Sequence, residues 1–212
     1  TSNIIDLVLP NVIEGGVITD GTVGLIVSND GISAKGTAAY ADKPVEFEWL
    51  EDFSGRKDIR MRISGTATAD KAIRDMFDIY RRDLIKGPVP IDFVFEDYRD
   101  NTQKFSADLN LTSAKISLPS FNWAKQSGEK ATATFLVTLK DKRITALPVF
   151  RIDAGVLHVS GKLTLSSDPA DKTSVLETIV LERFELGPTS LAAKVRRAPD
   201  RSLMIKIDGE GF

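Results

Sequence analysis

The chain contains no cysteine and a single histidine, His158. Without thiols, disulfide scaffolds, thiolate metal centres and cysteine nucleophiles are excluded. One imidazole leaves little material for a zinc site or a histidine-dependent triad. No apolar run approaches the ~20 residues that a bilayer-spanning helix needs, and no signal peptide opens the chain. Net charge is also scarce: 28 basic and 30 acidic side chains leave −2, which gives no electrostatic reason to expect nucleic acid. Walker, Rossmann, EF-hand and HExxH signatures are missing, so nucleotide, calcium and zinc-peptidase roles find no support. Paired carboxylates of the glycosidase kind occur at Glu46 and Glu48, Asp92 and Glu96, and Asp97 with Asp100. Alternation places Glu46 and Glu48 on an outward face opposite Phe47, where water keeps both ionised, so no desolvated catalytic carboxylate is indicated. The expectation is a protein that is not an enzyme, with no catalytic residue, metal site or cofactor.

What the chain does have is alternation. With 42% hydrophobic and 27% charged residues it is globular, and 212 residues suffice for one large β domain or two small ones. Val45, Phe47 and Trp49 alternate with Glu46 and Glu48. Phe105, Ala107, Leu109 and Leu111 alternate with Ser106, Asp108 and Asn110, and Ala131 to Leu139 and Leu203 to Ile207 repeat the pattern. Side chains of a strand point to opposite faces with period two, so each run is a ribbon with one apolar and one polar side.

The pattern predicts strands over about 3–9, 16–28, 31–40, 44–51 and 57–68. Further strands are predicted over 90–97, 102–118, 129–140, 143–152, 155–167, 174–186, 188–197 and 201–209. Turn chemistry separates them, as at Asn29-Asp30-Gly31, Asp141-Lys142 and Gly187-Pro188. The exception is 69–82, where Ala72, Ile73, Met76, Phe77 and Tyr80 fall at helical spacing before Gly87-Pro88. The chain therefore divides into a β segment 1–68, an amphipathic helix within 69–86, and a β region 87–212. The expected class is mainly β: a large, curved, mostly antiparallel sheet, either an open groove or sandwich-like, with one helix. Thr1 in place of Met, and an end just beyond a strand, read as a piece cut from a longer protein.

A short token recurs: an apolar residue, a polar residue, then glycine. It occurs at Ala34-Lys35-Gly36, Ile63-Ser64-Gly65, Ile85-Lys86-Gly87, Val159-Ser160-Gly161 and Ile207-Asp208-Gly209. Glycine inside a strand marks a bulge, a bend or a close backbone approach. The unequal spacing suggests one curved sheet built by irregular reiteration, not a solenoid of fixed period.

The segment 87–135 carries Gly87-Pro88-Val89-Pro90 entering a strand, Ala107-Asp108-Leu109, then Leu118-Pro119 leading to Trp123, Lys125 and Gly128. In this order the motifs resemble the AsmA-like proteins of Gram-negative bacteria, in particular the central region of the YhdP type. Gly155 to Leu163, Leu181 to Phe184, and Ile207 to Glu210 are similar to the family's later strands, so the resemblance covers about residues 57–212. Gln126-Ser127-Gly128 departs from it in lacking a proline. The resemblance implies a periplasmic segment of a bridge protein, tethered to the inner membrane through parts not in this chain. It also implies an apolar β-groove that shields phospholipid acyl chains on their way to the outer membrane. The groove candidates are Phe47, Trp49, Phe93, Phe95, Phe105, Leu109, Leu111, Phe135, Val137, Leu157, Val159, Leu163 and Ile205. The expected partners are phospholipid and the inner membrane, with no nucleic acid, and cut sheet edges invite self-association. The alternative is a non-catalytic structural or partner-binding β module of the cell envelope, its apolar face sealed as a sandwich core.

Overall fold

The computed structural model describes residues 2–13, 16–40, 42–69, 84–167, 174–198 and 202–210. Its first half comprises β1 (Ser2–Ile13), β2 (Gly16–Val27), β3 (Gly31–Tyr40), β4 (Lys43–Asp52), β5 (Ile59–Ala69), β6 (Ile85–Lys86), β7 (Val89–Tyr98) and β8 (Thr102–Asn110). The second comprises β9 (Lys115–Leu118), β10 (Trp123–Lys125), β11 (Ala131–Lys140), β12 (Arg143–Ala154), β13 (Leu157–Ser167), β14 (Ser174–Leu186), β15 (Thr189–Arg197) and β16 (Leu203–Glu210). Thirteen of these strands form one sheet whose spatial order follows the chain order, with β1 and β16 as its edges. Only β6, β9 and β10 leave it, to make a sheet of their own. Every pairing is antiparallel, as short connections require. The sheet is curved and is not closed into a barrel.

The turns work as their residues dictate. Asp141 and Lys142 both take positive φ, 50° and 63°, which gives the two-residue hairpin whose twist suits adjoining strands. Asn101, at φ 65°, turns β7 into β8. The expected strand over 102–118 is broken, because the Asn110 side chain accepts a hydrogen bond from the Thr112 backbone N–H at 3.0 Å and bends the chain away. Trp123–Lys125, which lies between the predicted strands 102–118 and 129–140, pairs with β9.

The predicted helix falls almost wholly on 70–83, outside the described residues. Its assumed ends are strand: Ala69 closes β5, and Ile85 and Lys86 pair with Ile116 and Lys115. The segments 1–68 and 87–212 belong to one sheet, joined where β5 pairs with β7 from Ile59↔Tyr98 to Ala69↔Val89.

Candidate functional site

Register assembles the alternating runs into rows that cross the sheet. One row reads Val23, Gly36, Phe47, Gly65, Phe93, Ala107, Phe135, Phe150, Gly161, Leu181, Ala193, Ile207, one position per strand from β2 to β16. Ile4 of β1 stands at the register position opposite Val23. Every position is apolar or glycine. Two residues along each strand, or three across the irregularity in β14, a second row runs Ala67, Ile91, Leu109, Ala133, Ile152, Val159, Phe184, Leu191, Gly209. On the other side a third runs Leu25, Ala34, Trp49, Ile63, Phe95, Phe105, Val137. After an irregularity in the β11–β12 register it resumes as Leu147, Leu163, Ile179, Val195, Ile205. Eleven of the thirteen predicted groove residues therefore lie in three adjoining rows of a single face. Thirteen strands at ~4.8 Å make this strip roughly 58 Å long.

The opposite face is mixed, with Val94, Leu136 and Val149 in one of its rows, but one row of it is wholly polar. The row Thr22, Thr37, Glu46, Thr66, Asp92, Asp108, Thr134, Arg151, Ser160, Arg183 crosses the same strands one residue out of phase. His158 lies on this side, its Nδ1 2.7 Å from Asp153 Oδ1. Glu46 and Glu48 are exposed there, as alternation predicted.

Large and small residues alternate along the apolar strip, and the small ones permit the curve. A Cβ on Gly65 would lie 2.1 Å from the Glu46 carbonyl oxygen, and one on Gly36 2.2 Å from that of Thr22. At Gly161 it would meet both the Val180 carbonyl oxygen at 2.3 Å and the Phe150 ring at 2.7 Å. The recurring glycine token thus marks places where neighbouring backbone occupies the position of a side chain. Buried Ala34, Ala107 and Ala133 stand between larger register partners, Trp49, Phe93 with Phe135, and Leu109 with Ile152. Phe93 and Phe105 stack at 6.4 Å. The Trp49 indole N–H is buried without an acceptor, a desolvation cost consistent with an apolar setting.

One margin of the strip is roofed. The small sheet packs Ile85, Ile116, Leu118 and Trp123 onto a core of Val89, Leu111, Ala114, Ala131, Ala133, Ala154 and Leu157. Phe121 reaches across to Phe184, ring centroids 5.2 Å apart. Lys125 is 1% exposed, and its ammonium donates to the carbonyls of Thr112, Ala114 and Gln126 at 3.0, 2.7 and 2.8 Å. Burial lowers its pKa from the ordinary lysine value. Two predicted groove residues belong to this core instead: Leu111 and Leu157 are 3% and 2% exposed, sealed where the 111–130 connection folds back, and three more, Leu109, Phe135 and Val159, pack against it half-buried. Ile205, by contrast, is 62% exposed on the edge strand.

The other margin is mixed: the next row runs Val27, Ile32, Glu51, Met61, Asp97, Gln103, Leu139, Ile144, with a charged cluster at its middle where Arg60 pairs with both Asp97 and Glu51. Nearby, Asp52 accepts from Ser54 Oγ and Arg99 Nη2, each at 2.7 Å. These bonds, Ser54's foremost, hold the Asp52 carboxyl down at about 2. A carboxyl whose pKa is lower folded than unfolded contributes stability that is complete above its unfolded pKa and is lost as pH falls through the folded one. Urea midpoints should therefore decline between about pH 4 and pH 2, and Asp52→Asn should flatten that decline. An unchanged profile would show that the Asp52 bonds do not persist in solution.

A hollow of about 520 Å³ near the β2–β3 and β4–β5 turns includes Arg56, Lys57, Arg60 and Arg62. Three of these bases already face carboxylates, Arg56 with Asp30, Arg60 with Glu51 and Asp97, and Arg62 with Glu96, so the hollow is not a free cationic site. Of the basic cluster beside the last hairpin, Lys194 and Arg196 are exposed and Arg197 is half-buried, while Arg201 lies outside the described residues. Sequence reasoning missed the roof's buried lysine and the charged cluster of the other margin. Isolated charges in alternating runs look like ordinary surface residues until register brings them together. No known family model, curated protein or solved structure matches the chain.

Proposed function

We propose that the curved apolar face is a groove for lipid hydrocarbon, and that the chain is a segment of a periplasmic, AsmA-like bridge protein that carries phospholipid from the inner toward the outer membrane. One observation carries this reading: the unbroken row of apolar residues and glycine across successive strands of a sheet that does not close. Among the described residues no second sheet of comparable size covers that face, whereas a sandwich would require one. The strip is several times longer than the ~15 Å hydrocarbon depth of one leaflet, half of a bilayer core. Each lipid methylene taken from water contributes about 0.8 kcal/mol, so a plain apolar strip holds acyl chains without a specific contact and lets them slide. The charged cluster of Arg60, Asp97 and Glu51 supplies a local border compatible with headgroups. The motif resemblance over 57–212 supports the same reading and the envelope location.

Native mass spectrometry of gently purified protein tests it, with co-purifying phospholipid as the expected result. Phe135→Asp places a charge in the middle of the strip. Losing contact with even two methylenes is worth ~1.6 kcal/mol, so lipid occupancy should fall about tenfold. Glu48→Lys, on the opposite face, should leave occupancy unchanged. Circular dichroism must show both variants folded. A lipid-free wild type, or equal occupancy in all three proteins, removes the proposal.

A further inference from the structure

The margin away from the roof is apolar at both ends of its row, with Val27 and Ile32 at one and Leu139 and Ile144 at the other. Between them charge enters only over β4 to β7, and a break in register puts it there. Ile59 pairs with Tyr98 and Met61 with Asp97, so Arg60 is an extra residue in β5, a bulge. A bulge re-aims a side chain that strict alternation would send to the opposite face. The Arg60 guanidinium accordingly meets Asp97 on one side and Glu51, at 3.5 Å, on the other, and both belong to this row. The Asp97 side chain is buried, whereas that of Arg60 is 45% exposed and keeps N–H donors facing outward. Two carboxylates share one guanidinium, so the cluster has a carboxylate in excess. The charges around it are matched: Arg56 with Asp30, Arg62 with Glu96, Arg99 with Asp52, and Lys57 beside Asp58 in the turn.

From this cluster a lane runs along β5 across the strip. Trp49 and Phe95 flank Ile63, and Phe47 and Phe93 flank Gly65, so the lane deepens where its own side chains become small. It ends at the roof, where Ile91, opposite Ala67, packs half-buried against the core that seals Val89. The strand from Asp97 to Ile91 measures roughly 20 Å, enough for the ~15 Å hydrocarbon depth of one leaflet.

We propose that a phospholipid with an ammonium-bearing headgroup lies along β5, its phosphate on Arg60, its ammonium on Glu51, and its acyl chains over Gly65 and Ala67 toward the roof. This rests on the groove reading and adds to it a headgroup class and a direction. A purely anionic headgroup would bring phosphate to the guanidinium and leave the surplus carboxylate facing a like charge. A zwitterion meets both signs, and complementarity of this kind selects between ligands more than it strengthens binding.

Protein equilibrated with vesicles of equal parts phosphatidylethanolamine and phosphatidylglycerol, then analysed by native mass spectrometry, should hold the former in about fivefold excess, the worth of one half-exposed ion pair. Glu51→Gln should bring the ratio to parity with lipid still bound, and Glu51→Lys should invert it. Glu48→Lys, the same charge change on the opposite face of β4, should leave the ratio at its wild-type value. Phosphatidylethanolamine with a photoreactive group at the methyl end of its chains should crosslink within 84–91 and 109–118. No bound lipid overturns both this proposal and the groove. Lipid bound in the vesicle ratio, or a preference that both Glu51 variants leave intact, overturns the headgroup site while the groove stands. Crosslinks gathered at the β4–β5 turn overturn the direction in the same way.

Discussion

Gly65→Val is expected to destabilise the protein by about 3–5 kcal/mol, or to prevent folding altogether. Intrinsic preference points the other way, because valine favours strands over glycine by up to ~1 kcal/mol. The sign of the change therefore separates the two arguments. At this position a Cβ would stand 2.1 Å from the Glu46 carbonyl oxygen and 3.1 Å from the Phe47 Cα. Both are backbone atoms, so no rotamer change relieves the clash, and β4 and β5 would have to part in the interior of the sheet. Urea unfolding of Gly65→Val and Gly65→Ala, with the exposed outer-face substitution Thr66→Val as reference, supplies the comparison. A valine variant as stable as the wild type would mean that the strands do not approach so closely in solution, and the bend assigned to the glycine tokens would go with it.

Lys125→Met should cost about 3 kcal/mol, with the loss concentrated in the roof. The methionine stem fills similar space, but three carbonyls, those of Thr112, Ala114 and Gln126, lose a charged donor in a buried setting. Most of the large sheet's ladders lie away from these groups. Amide hydrogen exchange should rise across 111–128 before it rises in β3 to β5. Trp123, packed against the roofed core, should shift its fluorescence at a lower urea concentration than the circular dichroism signal of the strands. A single coincident transition in the variant would show that roof and sheet unfold as one unit, which would contradict the separation argued from the two sheets.

The faces of the sheet were legible in the sequence because alternation is a local property. Val45 to Trp49 and Ala131 to Leu139 give the apolar side of β4 and β11 without any knowledge of their neighbours. Rows are not local. That Gly65 falls between Phe47 and Phe93 depends on two registers set by turns on either side. The motif marked a bend, but its partner strands were not readable. Leu111 and Leu157 keep the alternating pattern, yet they are sealed, because Asn110 turns the chain over its own sheet, and a single asparagine amid good strand formers is a faint signal. Lys125 looks like any surface lysine, since only the folded connection brings three carbonyls around one ammonium.

Spatial order that follows chain order has a consequence for how such a molecule changes over time. Insertion or loss of one hairpin away from β6 to β10 adds or removes ~10 Å of strip, two strand spacings, and only the flanking pairings need to re-form. The reach of the molecule is then a count of hairpins, a ruler that gene duplication or trimming can reset one notch at a time.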